Sequence, residues 1–270
     1  MRFYILAKDK LKMILIEKGT EIFYTDEGKG DTLVFLHGFL ENSAMWNELM
    51  PSFKKQFRVI CIDLLGHGKT GSKHTIHTME MMADAVAAVL DYLAIKQVIL
   101  IGHSMGGYVS LALASKQPHR IQKLILLNST WKSDTREKKV TRTKAIKAVR
   151  NNFGAFVKLT IPNLFAEKNR IKLRKEITKV KEEALKTSIL GTIAALEGMK
   201  MRPDYSATMT GFNFEQHIII GKEDTLVNPN VLFEEAKKLG MIPQLLDGGH
   251  MAHIENRTKV LLILAGIVHK

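Results

Sequence analysis

The apolar run Gln97-Val-Ile-Leu-Ile101 leads straight into Gly102-His103-Ser104-Met105-Gly106-Gly107, and an apolar helical stretch follows at 105–117. Strand, G-x-S-x-G, helix is a narrow specification. The turn must be sharp, and small residues on either side let the backbone make it. Such a turn lifts the serine hydroxyl clear of the sheet. A hydroxyl is a poor nucleophile unless it stands exposed beside a base. The order of the pieces is more informative than the motif, which by itself is common by chance.

A serine nucleophile needs a histidine base, a carboxylate to orient it and N–H donors for an oxyanion. The chain offers each at the end of an apolar run. Thr32-Leu-Val-Phe-Leu36 ends in His37-Gly38-Phe39, so the following loop can aim the Phe39 N–H at the serine. The Met105 N–H, directly after Ser104, is the second candidate donor. His217-Ile-Ile-Ile-Gly221 runs on to Asp224, and Leu245-Leu-Asp-Gly-Gly-His250 sets a histidine just past a short strand. Rivals stand close by. His253 can share a helical turn with His250, but Gly249 suits a loop that swings the His250 ring over the elbow. Glu223 suits a surface role and Asp247 a turn. The strand after the elbow helix ends Leu126-Leu-Asn128-Ser129, with no carboxylate, which favours Asp224 as the acid. His37 and His67 are expected to bond loop backbone, His103 to pack under the elbow, and Asp63 to fix the turn after its strand.

These pieces occur in order with Asp63-Leu-Leu-Gly66-His67-Gly68, Arg202-Pro-Asp204, Gly221-Lys-Glu-Asp224 and Gly249-His250-Met-Ala-His253-Ile-Glu255. On them the chain resembles the α/β-hydrolase-fold serine hydrolases of the small esterase/lipase-like group, over residues 13–268. The resemblance implies an α/β fold: a mostly parallel sheet of about eight strands flanked by helices, with a helical cap insertion. It implies Ser104 as nucleophile, Asp224 as acid and His250 as base, acting on a carboxylic ester or thioester through an acyl-enzyme. Phe39 and Met105 would form the oxyanion hole, and no cofactor is needed. The same triad in similar proteins serves C–C bond hydrolysis, lactone hydrolysis, perhydrolysis or a lyase reaction. A non-catalytic binder on this fold usually has a damaged triad, and this one is intact. Dehalogenases and epoxide hydrolases of the fold carry aspartate at the elbow, so Ser104 argues against both.

The strand pattern occupies residues 13–130 and 206–270. It opens with a hairpin signal at Lys18-Gly19-Thr20. Ser43 can cap a helix carrying Trp46, Leu49 and Phe53, and another helix is expected over 77–93. Residues 131–205 read instead as a helical insertion, with apolar positions Ile146, Val149, Phe153 and Phe156, then Leu173, Ile177, Val180 and Ala184. Residues 1–12 are set apart as an N-terminal extension outside the fold. Cys61 is the single cysteine, so no disulfide framework forms, and no H-E-x-x-H or cysteine pair signals a metal. No run reaches the roughly 20 apolar residues of a membrane span, and the N-terminal apolar stretch is shorter than a signal-peptide core. A cytoplasmic location is therefore expected. The formal charge is +13, and residues 131–205 alone hold 19 Lys and Arg against 8 Asp and Glu. This is either a solvated face or a surface for an anionic partner: an acyl carrier protein, a coenzyme A ester or an acidic membrane. Nucleic acid is not expected, because the lysines lack interleaved aromatics.

Overall fold

Lys18 at φ 48° and Gly19 at φ 73° both adopt left-handed backbone, which a two-residue hairpin turn demands. The computed structural model describes residues 4–6, 12–72 and 74–269. Its strands are β1 (Tyr4–Leu6), β2 (Lys12–Glu17), β3 (Thr20–Gly28), β4 (Thr32–Leu36), β5 (Arg58–Ile62), β6 (Val98–His103), β7 (Ile121–Leu127), β8 (Glu215–Gly221) and β9 (Ile242–Leu246). They form one sheet in the order β1-β2-β3-β5-β4-β6-β7-β8-β9. The pairs β1–β2, β2–β3 and β3–β5 are antiparallel, and the rest are parallel. The sheet has one strand more than the expected eight. The extra strand is β1, paired Tyr4↔Leu15 through Leu6↔Met13, and it corrects the exclusion of all of residues 1–12 from the fold. Without it, β2 would leave a row of edge N–H and C=O groups unpaired. Residues 1–3 and 7–11 of that segment lie outside the described residues.

The parallel strands are buried on both faces, which is why they read as continuous apolar runs. Alternation sorts their side chains. Val34 and Leu36 join one core with Val86 of α1 (Met79–Tyr92) and Val109 of α2 (Met105–Lys116). Leu33 and Phe35 join the opposite core with Trp46, Phe53, Val260 and Leu264. The expected helix after Ser43 is instead two short 3-10 turns, Ser43–Trp46 and Met50–Ser52. Pro51 lacks the N–H that a continuous helix would use, and Asn42, not Ser43, caps the first turn by accepting the Ala44 N–H at 2.9 Å.

Between β7 and β8 the chain forms α3 (Arg136–Asn151), α4 (Phe153–Thr160), α5 (Arg174–Ala184), α6 (Ile189–Met201) and α7 (Ser206–Met209), with no strand. Asn152 ends α3 and caps α4 by accepting the Ala155 N–H. Leu40, Val157, Ile161, Phe165, Ile177 and Met251 form a third apolar cluster, tying these helices to the loops that follow β4 and β9. α6 is apolar nearly all round and runs against backbone: a Cβ on Gly198 would lie 1.7 Å from the His77 carbonyl oxygen. The fold closes with α8 (Pro229–Lys238), α9 (Ala252–Glu255) and α10 (Arg257–Val268). No helix among the described residues is long and apolar enough to cross a membrane.

Candidate active site

Ser104 joins β6 to α2 with φ 49° and ψ −114°, a strained conformation for a residue with a Cβ. The neighbouring glycines make the bend possible. A Cβ on Gly102 would lie 2.4 Å from the Gly106 carbonyl oxygen, and one on Gly106 2.3 Å from that of Leu36. Ser129 Oγ steadies the turn by donating to the Ser104 carbonyl at 2.8 Å.

Three strand ends converge on this serine. Ser104 Oγ lies 2.8 Å from His250 Nε2, and His250 Nδ1 lies 2.8 Å from Asp224 Oδ2. Asp224 also accepts the Leu226 N–H on Oδ1 at 2.9 Å and the Asn128 amide on Oδ2 at 2.9 Å. Burial alone would push the Asp224 carboxyl up, but the His250 ring and these two donors hold it below the usual range. The rivals lie elsewhere. Asp247 and Glu223 pair with Lys222 and Lys168 at the surface. His253 is buried against Trp46 and His103. The Phe39 loop turns through Leu40 at φ 63°. Among the described residues, no acceptor takes the N–H of Phe39 or of Met105, the first residue of α2.

The loop bearing His250 is held from the helical insertion. The His250 N–H donates to the Leu164 carbonyl at 2.8 Å. Glu255 accepts the Gly249 N–H at 2.8 Å on one oxygen, and the Ala166 N–H and Asn169 amide on the other. The other singled-out residues hold loops. His37 donates from Nδ1 to the Gly38 carbonyl and accepts the Leu64 N–H on Nε2. Asp63 accepts the Ser43 and Lys69 N–H groups. His67 is buried, and burial pushes its ring down to about 3.

Two residues to which the sequence reading gave no role complete the surroundings. Asn128, at φ 46°, bridges Asp224 and the Gly249 carbonyl; its place at a strand end facing the acid was the available signal. Glu41 lies 2.7 Å from His103 Nδ1, while His103 Nε2 faces the His250 carbonyl at 3.0 Å. The carbonyl is an acceptor and so is the Glu41 carboxylate when ionised, an arrangement that favours the doubly protonated ring. Burial alone would lower the ring, but Glu41 and that carbonyl raise it. Burial likewise opposes the Glu41 charge, yet the His103 ring holds the carboxyl at about 2. With His253 these groups place three potential metal-ligating atoms within 4.8 Å of one another. The short Glu41–His103 contact has the geometry of a proton-bearing ion pair.

A cavity of about 270 Å³ opens at Ser104 and His250. Its walls come from the Phe39 loop, the start of α2 and the helical insertion. They are mainly apolar; besides Ser104 and His250, the polar exceptions are Glu41, His103, Tyr108, Thr141, Arg142 and Thr160.

Comparison with known proteins agrees with this architecture. A thermophilic esterase from Thermogutta terrifontis superposes with a TM-score of 0.88 at 26% identity, covering 96% of this chain and 98% of that one. The 2-hydroxy-6-oxo-2,4-heptadienoate hydrolase of Pseudomonas putida is 35% identical over 120 residues, 43% of this chain and 44% of that protein. A non-heme haloperoxidase from Rhodococcus erythropolis is 33% identical over 121 residues, 44% of each. The matched stretch thus spans under half the length of these curated relatives. The family model described as alpha/beta hydrolase fold matches residues 31–257, and the chain belongs to that family of hydrolases.

Proposed function

We propose that the protein cleaves a carboxylic ester or thioester through an acyl-enzyme on Ser104. The observation that carries this reading is the unbroken chain from Ser104 Oγ through His250 to Asp224, with both links at 2.8 Å. His250 Nε2 takes the Ser104 proton as Oγ attacks the carbonyl carbon. Asp224 holds the Nδ1–H tautomer and stabilises the imidazolium that forms. The oxyanion is received by the Phe39 and Met105 N–H groups, each such donor being worth about 2.7–4 kcal/mol. His250 then protonates the leaving group, activates water on the same side, and the acid departs. Every step uses groups of this chain.

Residues 131–205 act as a cap that shapes the acyl pocket, and their exposed lysines offer a surface for an anionic carrier. A second reading draws on the Pseudomonas putida relative: the same triad hydrolysing an oxo-dienoate such as that protein's name describes. A panel of p-nitrophenyl esters of rising chain length, run beside such an oxo-dienoate, separates the two. Turnover of at least one ester, abolished in Ser104→Ala, supports the esterase reading. Turnover of the oxo-dienoate alone replaces it with the second.

A further inference from the structure

Arg142, on α3, is the one cation whose side chain lines the Ser104 cavity among the described residues once the buried histidines are set aside. It is not a surface charge. Its Nε and Nη2 hold the carboxylate of Asp134, which is fully buried at its side chain. Asp134 is already engaged by a second guanidinium, that of Arg202, at 2.8 Å. Arg202 is itself buried, donates to the Lys132 and Met199 carbonyls, and stacks 4.0 Å over the Tyr108 ring. One carboxylate thus faces two guanidiniums, and the cluster keeps a full positive charge. The remaining nitrogen, Arg142 Nη1, meets the Met199 sulfur at 3.3 Å, a weak acceptor, and the guanidinium also engages the neutral Tyr108 side chain, so neither contact cancels the charge.

Among the described residues, nothing else on the cavity wall cancels that charge. Glu41 lines the cavity, but its Oε2 is taken by His103 and the Gly38 N–H, and its Oε1 faces His253 Nε2 at 3.5 Å. Asp224 sits behind the His250 ring and does not line the cavity. A surplus positive charge beside a mainly apolar pocket is costly unless an anion completes it. Arg recognises carboxylates through its planar fork.

Resting on the hydrolase reading above, we infer that the substrate carries a second, unreacting carboxylate, bound at Arg142 while its ester or thioester carbonyl lies at Ser104. The pocket is therefore selective for half-esters and related monoacyl derivatives of dicarboxylic acids. This is separate from the exposed lysines of the insertion, which lie outside the cavity.

The test pairs the mono-p-nitrophenyl esters of glutaric, adipic, pimelic and suberic acid with their primary-amide counterparts, which are similar in shape and neutral. The quantity read is the ratio of kcat/KM, acid over amide, which cancels losses common to both. At the best chain length the ratio is expected to be roughly 10- to 100-fold, the range for a hydrogen bond between charged groups. It should collapse toward unity in Arg142→Gln. In Arg142→Lys, which keeps the charge but loses the fork, it should fall several-fold. A wild-type ratio near unity at every length overturns the inference, as does a high ratio that survives both substitutions. Binding is measured in parallel on Ser104→Ala by calorimetry, with monoethyl adipate against its amide. If no ester is hydrolysed, the hydrolase reading fails, while preferential binding of the carboxylate, lost on adding Arg142→Gln, still upholds the anion subsite. Equal binding of the two ligands contradicts it.

Discussion

At the residue scale, the triad assignment makes graded claims. Ser104→Ala deletes one hydroxyl and should remove essentially all ester turnover with an unchanged circular dichroism spectrum. Asp224→Asn keeps the size but favours the wrong imidazole tautomer, and kcat should fall by about 10³–10⁴. Asp247→Asn, whose side chain pairs with Lys222 at the surface, should leave turnover unchanged; a crippled Asp247→Asn beside a mild Asp224→Asn would move the acid. The buried histidines give a separate, pH-dependent claim. Burial pushes His67 and His253 from 6.5 to about 3. Below 6.5 the unfolded chain takes up their protons while the fold does not. Their contribution is therefore whole above 6.5 and is lost as pH falls toward 3, at about 1.4 kcal/mol per pH unit for each group. Glu41 adds a loss lower down, between 4.5 and about 2. Urea unfolding of His253→Phe between about pH 6 and 4 should show a slope shallower by one proton. An unchanged slope would mean that His253 is protonated in the fold. Ser104, Asp224 and His250 were legible because each ends a strand and its chemistry is local to a short motif. Asn128 and Glu41 were not, because neither sits in a short motif that marks its partner, 96 and 62 residues away.

At the element scale, two helical glycines should respond in opposite directions to the same methyl group. Gly198 on α6 faces the His77 carbonyl at a distance that leaves no room for a Cβ. Gly198→Ala must shift backbone, and overpacking of this kind costs about 1–3 kcal/mol. In a chain of this size each kcal/mol lowers Tm by roughly 2–4 °C. Gly266 on α10 has nothing within 4 Å of a built Cβ, so Gly266→Ala should stabilise by up to about 1 kcal/mol through helix propensity. Thermal melts of the two variants check the pair, and a destabilised Gly266→Ala would mean that α10 packs differently. Elements with one dominant period were readable from the chain: α1, α2 and the parallel strands fall within a few residues of their expected spans. The stretch at 43–53 was not, because its buried Trp46, Leu49 and Phe53 suggest a helix that Pro51 breaks. β1 escaped because a three-residue edge strand has too short a pattern to stand out from a terminus.

At the scale of the whole molecule, charge and topology differ in how far they could be foreseen. The sheet order, in which β5 lies between β3 and β4, follows from tertiary crossovers that no local pattern encodes. The basic excess at 131–205 was plain, but its division was not. Arg142 turned inward to Asp134, while Lys138, Lys139, Lys172, Arg174 and Lys175 are exposed. Exposed charges are screened over about 8 Å at physiological salt. If these five attract an anionic carrier, kcat/KM for an acyl-coenzyme A or acyl-carrier thioester should fall steeply with added salt, and a neutral ester should hold steady. Equal, weak responses would leave the five as a solvated face. The nucleophile itself is most directly tested with a fluorophosphonate, which phosphonylates only a serine activated by its base. Folded protein should gain one adduct, mapped by mass spectrometry to the peptide containing Ser104, and Ser104→Ala should gain none. A folded wild type that stays unlabelled, or an adduct on any other residue, would contradict the assignment of Ser104 as the nucleophile.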